Sequence, residues 1–168
     1  EDFLSEEIIR KIFYNIKNTI ELIKIGNRNG NGYIQKKINE FNKLPDNLIY
    51  FILTDLDKES CAPELIKKWF KHSCRSNLIF RVAVREIESW LLADTEGFSK
   101  FIRLNHDYVK KEIHDPDSIY DPKDKLISLV YQGKNNEIKK DIVRKESTFF
   151  RPGAGYNTRL IEYVFNFW

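Results

Sequence analysis

Methionine is absent from the 168 residues, position 1 included, so the sequence is expected to begin inside a longer chain, and continuation past Trp168 is expected too. Cysteine is nearly absent. Cys61 and Cys74 lie either side of one expected helix and share no metal-ligand spacing, which excludes a disulfide framework and a cysteine-bound zinc. They read as free thiols of a reducing cytoplasm. The three histidines, His72, His106 and His114, have no second ligand at useful spacing, so a histidine-bound zinc is not expected. No signal-peptide pattern is seen and no apolar run reaches the roughly 18 residues of a membrane span, so a soluble cytoplasmic protein without membrane association is expected. There is no Gly-Lys-Ser/Thr of a phosphate-binding loop, no Gly-x-Ser-x-Gly elbow and no paired Cys/His arrangement, so nothing points to a covalent nucleophile. Internal repeats and low-complexity tracts are also missing.

What is present is a globular composition: 42% hydrophobic, 14% aromatic and 32% charged residues, enough apolar material for a real core. The length fits one domain over residues 1–168, with a core in 1–94 and helical additions in 95–168. The net charge of +3 permits an anionic partner without demanding one.

The chain is organised around Leu48–Phe70. Leu48 to Leu53 is a continuous apolar, β-branched and aromatic run, the pattern of a strand buried on both faces. It runs into Asp55-Leu56-Asp57, and a loop with Ser60 and Pro63 leads to an amphipathic helix over 62–72. In an open parallel sheet, ligands bind outside the carboxyl ends of the strands. Two carboxylates at i and i+2 in that place can face one hard cation such as Mg²⁺. Asp-x-Asp also serves simply to cap a turn or a helix.

Around this centre, strand and helix patterns alternate. Leu4, Ile8, Ile12, Phe13 and Ile16 form a helical stripe after Ser5; Thr19–Ile25 alternates like a strand; 26–32 is a glycine- and asparagine-rich loop; 33–44 is a helix. Leu78–Val84 is a second apolar strand, followed by helical spacing over 85–94. This order predicts an α/β domain with a mostly parallel central sheet and helices on both faces. Beyond Thr95 the pattern weakens: short helices over 98–104, 123–131 and 136–143, a polar turn-rich stretch over 106–122, a loop over 151–155 and a final amphipathic helix over 156–168.

A second acidic pair, Glu86 and Glu88, follows the second strand. At i and i+2 the two cannot point the same way from a helix; Glu88 is the one expected at the site, with Glu86 paired to Arg81 or Arg85. Acidic residues in a first helical turn also answer the macrodipole alone. Lys123, in Asp121-Pro122-Lys123, and Arg151, before the glycines at 153 and 155, are basic candidates for a phosphate.

These residues together resemble the Toprim (topoisomerase–primase) domain, which has a Glu after its first strand and an Asp-x-Asp after a later one. Glu1 matches the first and Asp55-Leu56-Asp57 the second. The wording is closer still to an uncharacterised bacterial Toprim-like family of unknown function (family 4276). It is carried by Glu1-Asp2-Phe3-Leu4-Ser5-Glu6, by 53–57, by Arg81–Asp94, by Asp121–Lys123 and by Gly153-Ala154-Gly155-Tyr156-Asn157, where Ala154 stands for the family's Pro. The resemblance implies a Toprim-like sheet whose first strand precedes Glu1, and a Mg²⁺- or Mn²⁺-dependent nuclease acting on DNA or RNA. By that resemblance Asp55, Asp57 and Glu88 would hold the metal, Glu1 would be a further ligand or the general base, and Lys123 and Arg151 would neutralise the phosphoryl charge. Related Toprim proteins pair with ATPases in defence against phage, which implies an ATPase partner. Two other readings stay open: an inactive module docking onto such an ATPase through Trp90, Tyr156, Phe165, Phe167 and Trp168, or an enzyme acting on a small phosphorylated molecule.

Overall fold

Two short parallel strands lie at the centre of the computed structural model, which describes residues 2–16 and 30–168. β1 (Tyr50–Asp55) pairs with β2 (Leu78–Ala83), Tyr50 opposite Leu78 and Asp55 opposite Ala83. Side chains alternate across this ribbon, as strand geometry requires. Phe51, Leu53 and Ala83 go to one core, and Ile52, Leu56, Phe80 and Val82 to another.

The smaller core is covered by the helices α2 (Gly30–Phe41) and α3 (Ala62–Trp69). In α3, Pro63 stands in the first turn, where its missing N–H costs nothing, and Leu65 and Trp69 fall on one face four residues apart. Trp69 and Phe70 both meet Phe80 edge-on, at ring-centroid distances of 5.8 and 5.2 Å. α3 is thus the crossover that a parallel strand pair needs.

The larger core lies on the other face. There α1 (Phe3–Asn15) contributes Leu4 and Ile8, its start capped by the Asp2 carboxylate, which accepts from the Ser5 N–H at 2.8 Å. α4 (Ile87–Ala93), α5 (Thr95–Ile102), α6 (His106–Glu112), α7 (Pro122–Gln132), α8 (Asn136–Ile142) and α9 (Tyr156–Asn166) complete it. Residues from both sides of Asp94 share this core, Leu4, Leu53 and Leu91 with Phe101, Leu126 and Leu160.

The fold is therefore mixed α/β with helices on both faces of the ribbon. Among the described residues the parallel sheet has two strands, smaller than the alternation predicts, and more than half of those residues are helical. The expected strand Thr19–Ile25, loop residues 26–29 and Glu1 lie outside the described residues.

Several local expectations shift. β1 starts two residues late, leaving Ile49 73% exposed and making Asp55 its last residue. α2 starts at Gly30, which brings Asn31 into its first turn. The polar stretch 106–122 holds a helix, α6, because the Asn105 side chain accepts from the Tyr108 N–H at 2.9 Å and Val109 and Ile113 enter the core four residues apart. Residues 143–152 form an antiparallel hairpin, β3 (Val143–Glu146) and β4 (Phe149–Pro152), turned through Ser147 at φ 46°. Phe150 anchors it on Tyr131, ring centroids 4.2 Å apart. Of the five aromatic residues considered for docking, Tyr156 is buried and Trp90 and Trp168 pack against the core, while Phe165 and Phe167 stay exposed. Among the described residues no helix is long and apolar enough to cross a membrane.

Candidate active site

The parallel pairing continues past both strands. Leu56 N–H donates to Ala83 O at 2.9 Å and Asp57 N–H to Arg85 O at 2.8 Å. Asp57 and Arg85 both adopt the left-handed backbone, φ 51° and 58°. Asp tolerates that region; Arg has no such excuse, and each such residue costs roughly 1–2 kcal/mol. The Arg85 guanidinium braces the turn by donating to the carbonyls of Asp57 and Glu59, at 3.4 and 3.2 Å.

The two strand ends open onto a cavity of about 450 Å³. Asp55, Asp57, Glu86 and Asp121 line it, together with Lys58, Lys68, Arg85 and Tyr120. Asn31, at the start of α2, donates from Nδ2 to Asp57 Oδ2 at 2.6 Å. Tyr120 stands at the rim, 80% exposed.

Glu86 keeps an extended backbone as the residue before α4, so its carboxylate continues outward with the strand onto the cavity. Glu88, inside the first turn of α4, turns inward and is 2% exposed. The structure thus places Glu86 on the cavity and Glu88 behind it. Glu86 pairs with neither Arg81 nor Arg85 as expected: Arg81 donates to Phe80 O at 3.0 Å, and Arg85 is spent on the turn. Its partner is Lys123, whose N–H donates to Glu86 Oε2 at 3.3 Å and whose Nζ lies 4.0 Å from Oε1.

Lys123 Nζ is also 3.5 Å from Glu88 Oε1, and Tyr156 donates its hydroxyl to that same oxygen at 2.9 Å. Glu88 Oε2 has no hydrogen-bond partner among the described residues. Burial holds the Lys123 ammonium pKa down, but Glu88, Glu86 and Asp55 together outweigh it and leave it above the ordinary value. Burial pushes the Glu86 carboxyl up; Glu88 and Asp121 add to the rise, and Lys123 opposes it. Burial, then the Glu88 charge and hydrogen bond, raise Tyr156 well above the usual phenol. Asp2 adds to that rise, so the start of α1 lies close to this network.

Residues 1–142 match a family described as a domain of unknown function, DUF4276. The chain belongs to the DUF4276 family. No curated protein and no solved structure matches it. In this DUF4276 chain the matched span takes in Asp55, Asp57, Glu86, Glu88 and Lys123, while Arg151 and Tyr156 fall beyond it.

Two of the basic and glycine candidates sit elsewhere. Arg151, in β4, pairs with Glu146 at 3.0 Å and lies over the Phe149 ring, and it does not line the cavity. The glycine loop after it does not offer its amides to a phosphate, because Gly153 and Gly155 donate to the carbonyls of Ile142 and Asp141 at the end of α8. Asp94, which follows the Glu88 segment, caps α5 through the Gly97 N–H and accepts from Tyr163.

For a metal ion, among the described residues no three Asp, Glu, His or Cys side chains are grouped to hold one. The two carboxylates Asp55 and Asp57 share the cavity. Hard oxygen donors in that number suit Mg²⁺, which is usually bound by one or two carboxylates and otherwise by water and substrate phosphate. The pair fits that class of site and not a closed protein cage.

Proposed function

We propose that this DUF4276 chain is a Toprim-type, Mg²⁺-dependent phosphodiesterase that hydrolyses DNA or RNA in the cytoplasm. The observation that carries the reading is that Asp55, Asp57 and Glu86 all line one cavity at the carboxyl ends of two parallel strands. That is the place where open α/β folds bind ligands. Asp55 and Asp57 would hold Mg²⁺ or Mn²⁺, which when bound lowers the pKa of a water and polarises a phosphoryl oxygen. Asn31 holds the Asp57 carboxylate in place. Lys123 is not itself in the cavity lining, but beside Glu86, which is, it would supply a positive charge for a phosphate oxygen. Tyr120, exposed at the rim, offers a face on which a base can stack. Glu1 keeps its proposed place as a further ligand or general base, and an ATPase partner in phage defence remains the setting the family likeness favours.

The test is cleavage of labelled DNA and RNA, single- and double-stranded, in Mg²⁺, in Mn²⁺ and in EDTA. Asp55→Ala/Asp57→Ala is expected to abolish metal-dependent cutting, a loss on the order of a hundredfold or more. Equal cutting by the wild type and this variant would sink the proposal. The cavity volume of about 450 Å³ is also in the range of small-ligand sites, which favours a second reading, hydrolysis of a small phosphorylated molecule. Nucleotide monophosphates and dinucleotides in the same assay separate the two.

A further inference from the structure

The late motif Gly153-Ala154-Gly155-Tyr156 has no part in the phosphodiesterase reading. Its glycines serve packing, because a Cβ on Gly153 or Gly155 would run into Asp141 at the end of α8. This tight seat fixes the start of α9, and Tyr156 is the first residue of that helix, 6% exposed. A buried phenol needs an acceptor, and the Tyr156 hydroxyl finds it in Glu88 Oε1. Glu88 is itself buried, with Oε2 unpartnered among the described residues, while its Oε1 accepts from the Tyr156 hydroxyl and faces the Lys123 ammonium at 3.5 Å. Removing one partner of a buried charge leaves that charge poorly compensated. The Lys123 side chain keeps 39% of its surface exposed, so the ammonium held here still has an open side.

We propose that Tyr156 is a positioning residue of the acidic centre: through Glu88 it fixes the Lys123 ammonium beside Glu86 and Asp55, where it meets an anionic oxygen of the substrate phosphate. Only the last clause rests on the phosphodiesterase reading. The holding of Lys123 is a property of the protein alone. Three segments far apart in the chain, 86–88, 123 and 156, make one arrangement, and none of them needs to touch the reacting atoms except Lys123.

The experiment is Tyr156→Phe, which keeps the ring and removes the hydroxyl. The first readout is the lysine ammonium ¹⁵N NMR spectrum, with the Lys123 signal assigned by its loss in Lys123→Arg. In the wild type an ammonium held between two carboxylates is expected to give its own slowly exchanging resonance. In Tyr156→Phe that resonance is expected to broaden and move to the position of free lysines, and Glu88→Gln is expected to do the same. Tyr163→Phe, which removes another buried hydroxyl bonded to Leu91 O and Asp94, is expected to leave it in place. The second readout is metal-dependent cleavage, in which Tyr156→Phe is expected to lower kcat about tenfold with little change in KM, the size of one hydrogen bond to a charged group. A Lys123 signal that is missing in the wild type, or unmoved in Tyr156→Phe, overturns the proposal. If Tyr156→Phe does not fold, an unmoved signal in Glu88→Gln overturns it equally. A signal that moves with kcat unchanged overturns the substrate clause. A wild type that cleaves nothing removes the phosphodiesterase reading, while the NMR arm still decides whether Tyr156 holds Lys123.

Discussion

Glu86 and Glu88 show how two residues of one type, two positions apart, are given different roles by the backbone between them. The first is still extended and reaches the cavity; the second has entered a helix and is turned inward to Tyr156 and Lys123. Glu86 has a raised pKa in the folded protein, with burial as the main cause. For an acid raised on folding, the sign is fixed. Its contribution to stability is fully present below the unfolded-state pKa, where both states are protonated, and is lost as pH rises through the folded-state value. Above its folded-state value the ionised Glu86 therefore weakens the fold. Glu86→Gln is expected to raise the melting temperature at pH 7 and to leave it nearly unchanged at pH 4. A lower melting temperature at pH 7 would show that the ion pair with Lys123 outweighs burial. The presence of two acids after the second strand was legible in the residues. Which of them reaches the cavity was not, because that depends on where the extended backbone gives way to α4, a boundary that spacing does not mark.

At the scale of the element, the helices that were legible are those with repeated apolar spacing, such as α1 with Leu4 and Ile8 or α3 with Leu65 and Trp69. α6 has only Val109 within it and Ile113 at its end, set in a polar run, so its helical character rests on the cap supplied by Asn105 and on the core it enters. Asn105→Ala is expected to destabilise the protein by about 1 kcal/mol, the usual worth of such a cap, measurable as a shifted denaturant midpoint with an unchanged slope. A change near zero would mean that packing of Val109 alone holds the helix. The β3–β4 hairpin was illegible for a related reason. Val143-Arg144-Lys145-Glu146 continues straight from α8 with no turn signal, and the chain becomes a strand only because Phe150 is fixed on Tyr131 and β4 pairs across. The glycines at 153 and 155, beside Arg151, suggest a phosphate loop when met as sequence. Their place against Asp141 makes them a packing device instead.

Among the described residues, a two-stranded ribbon divides a large core from a small one. Local opening follows buried apolar contact, so the side with less of it opens first. Native-state hydrogen exchange is expected to show α2 and α3 amides exchanging well before those of α4, α5 and α9. Equal protection throughout would mean that the ribbon joins the two cores into one cooperative unit. The sequence by itself determined the α/β class and the position of Asp55 and Asp57 at a strand end. These follow from composition and from local periodicity, which need no long-range contact. Only the tertiary structure decided that Glu86 shares their cavity, that Asn31 braces Asp57, that Arg151 stands apart, and that Tyr156 reaches Glu88 from 68 positions away. Those are pairings between distant segments, set by how helices pack on the two faces of the ribbon, and no spacing along the chain encodes them.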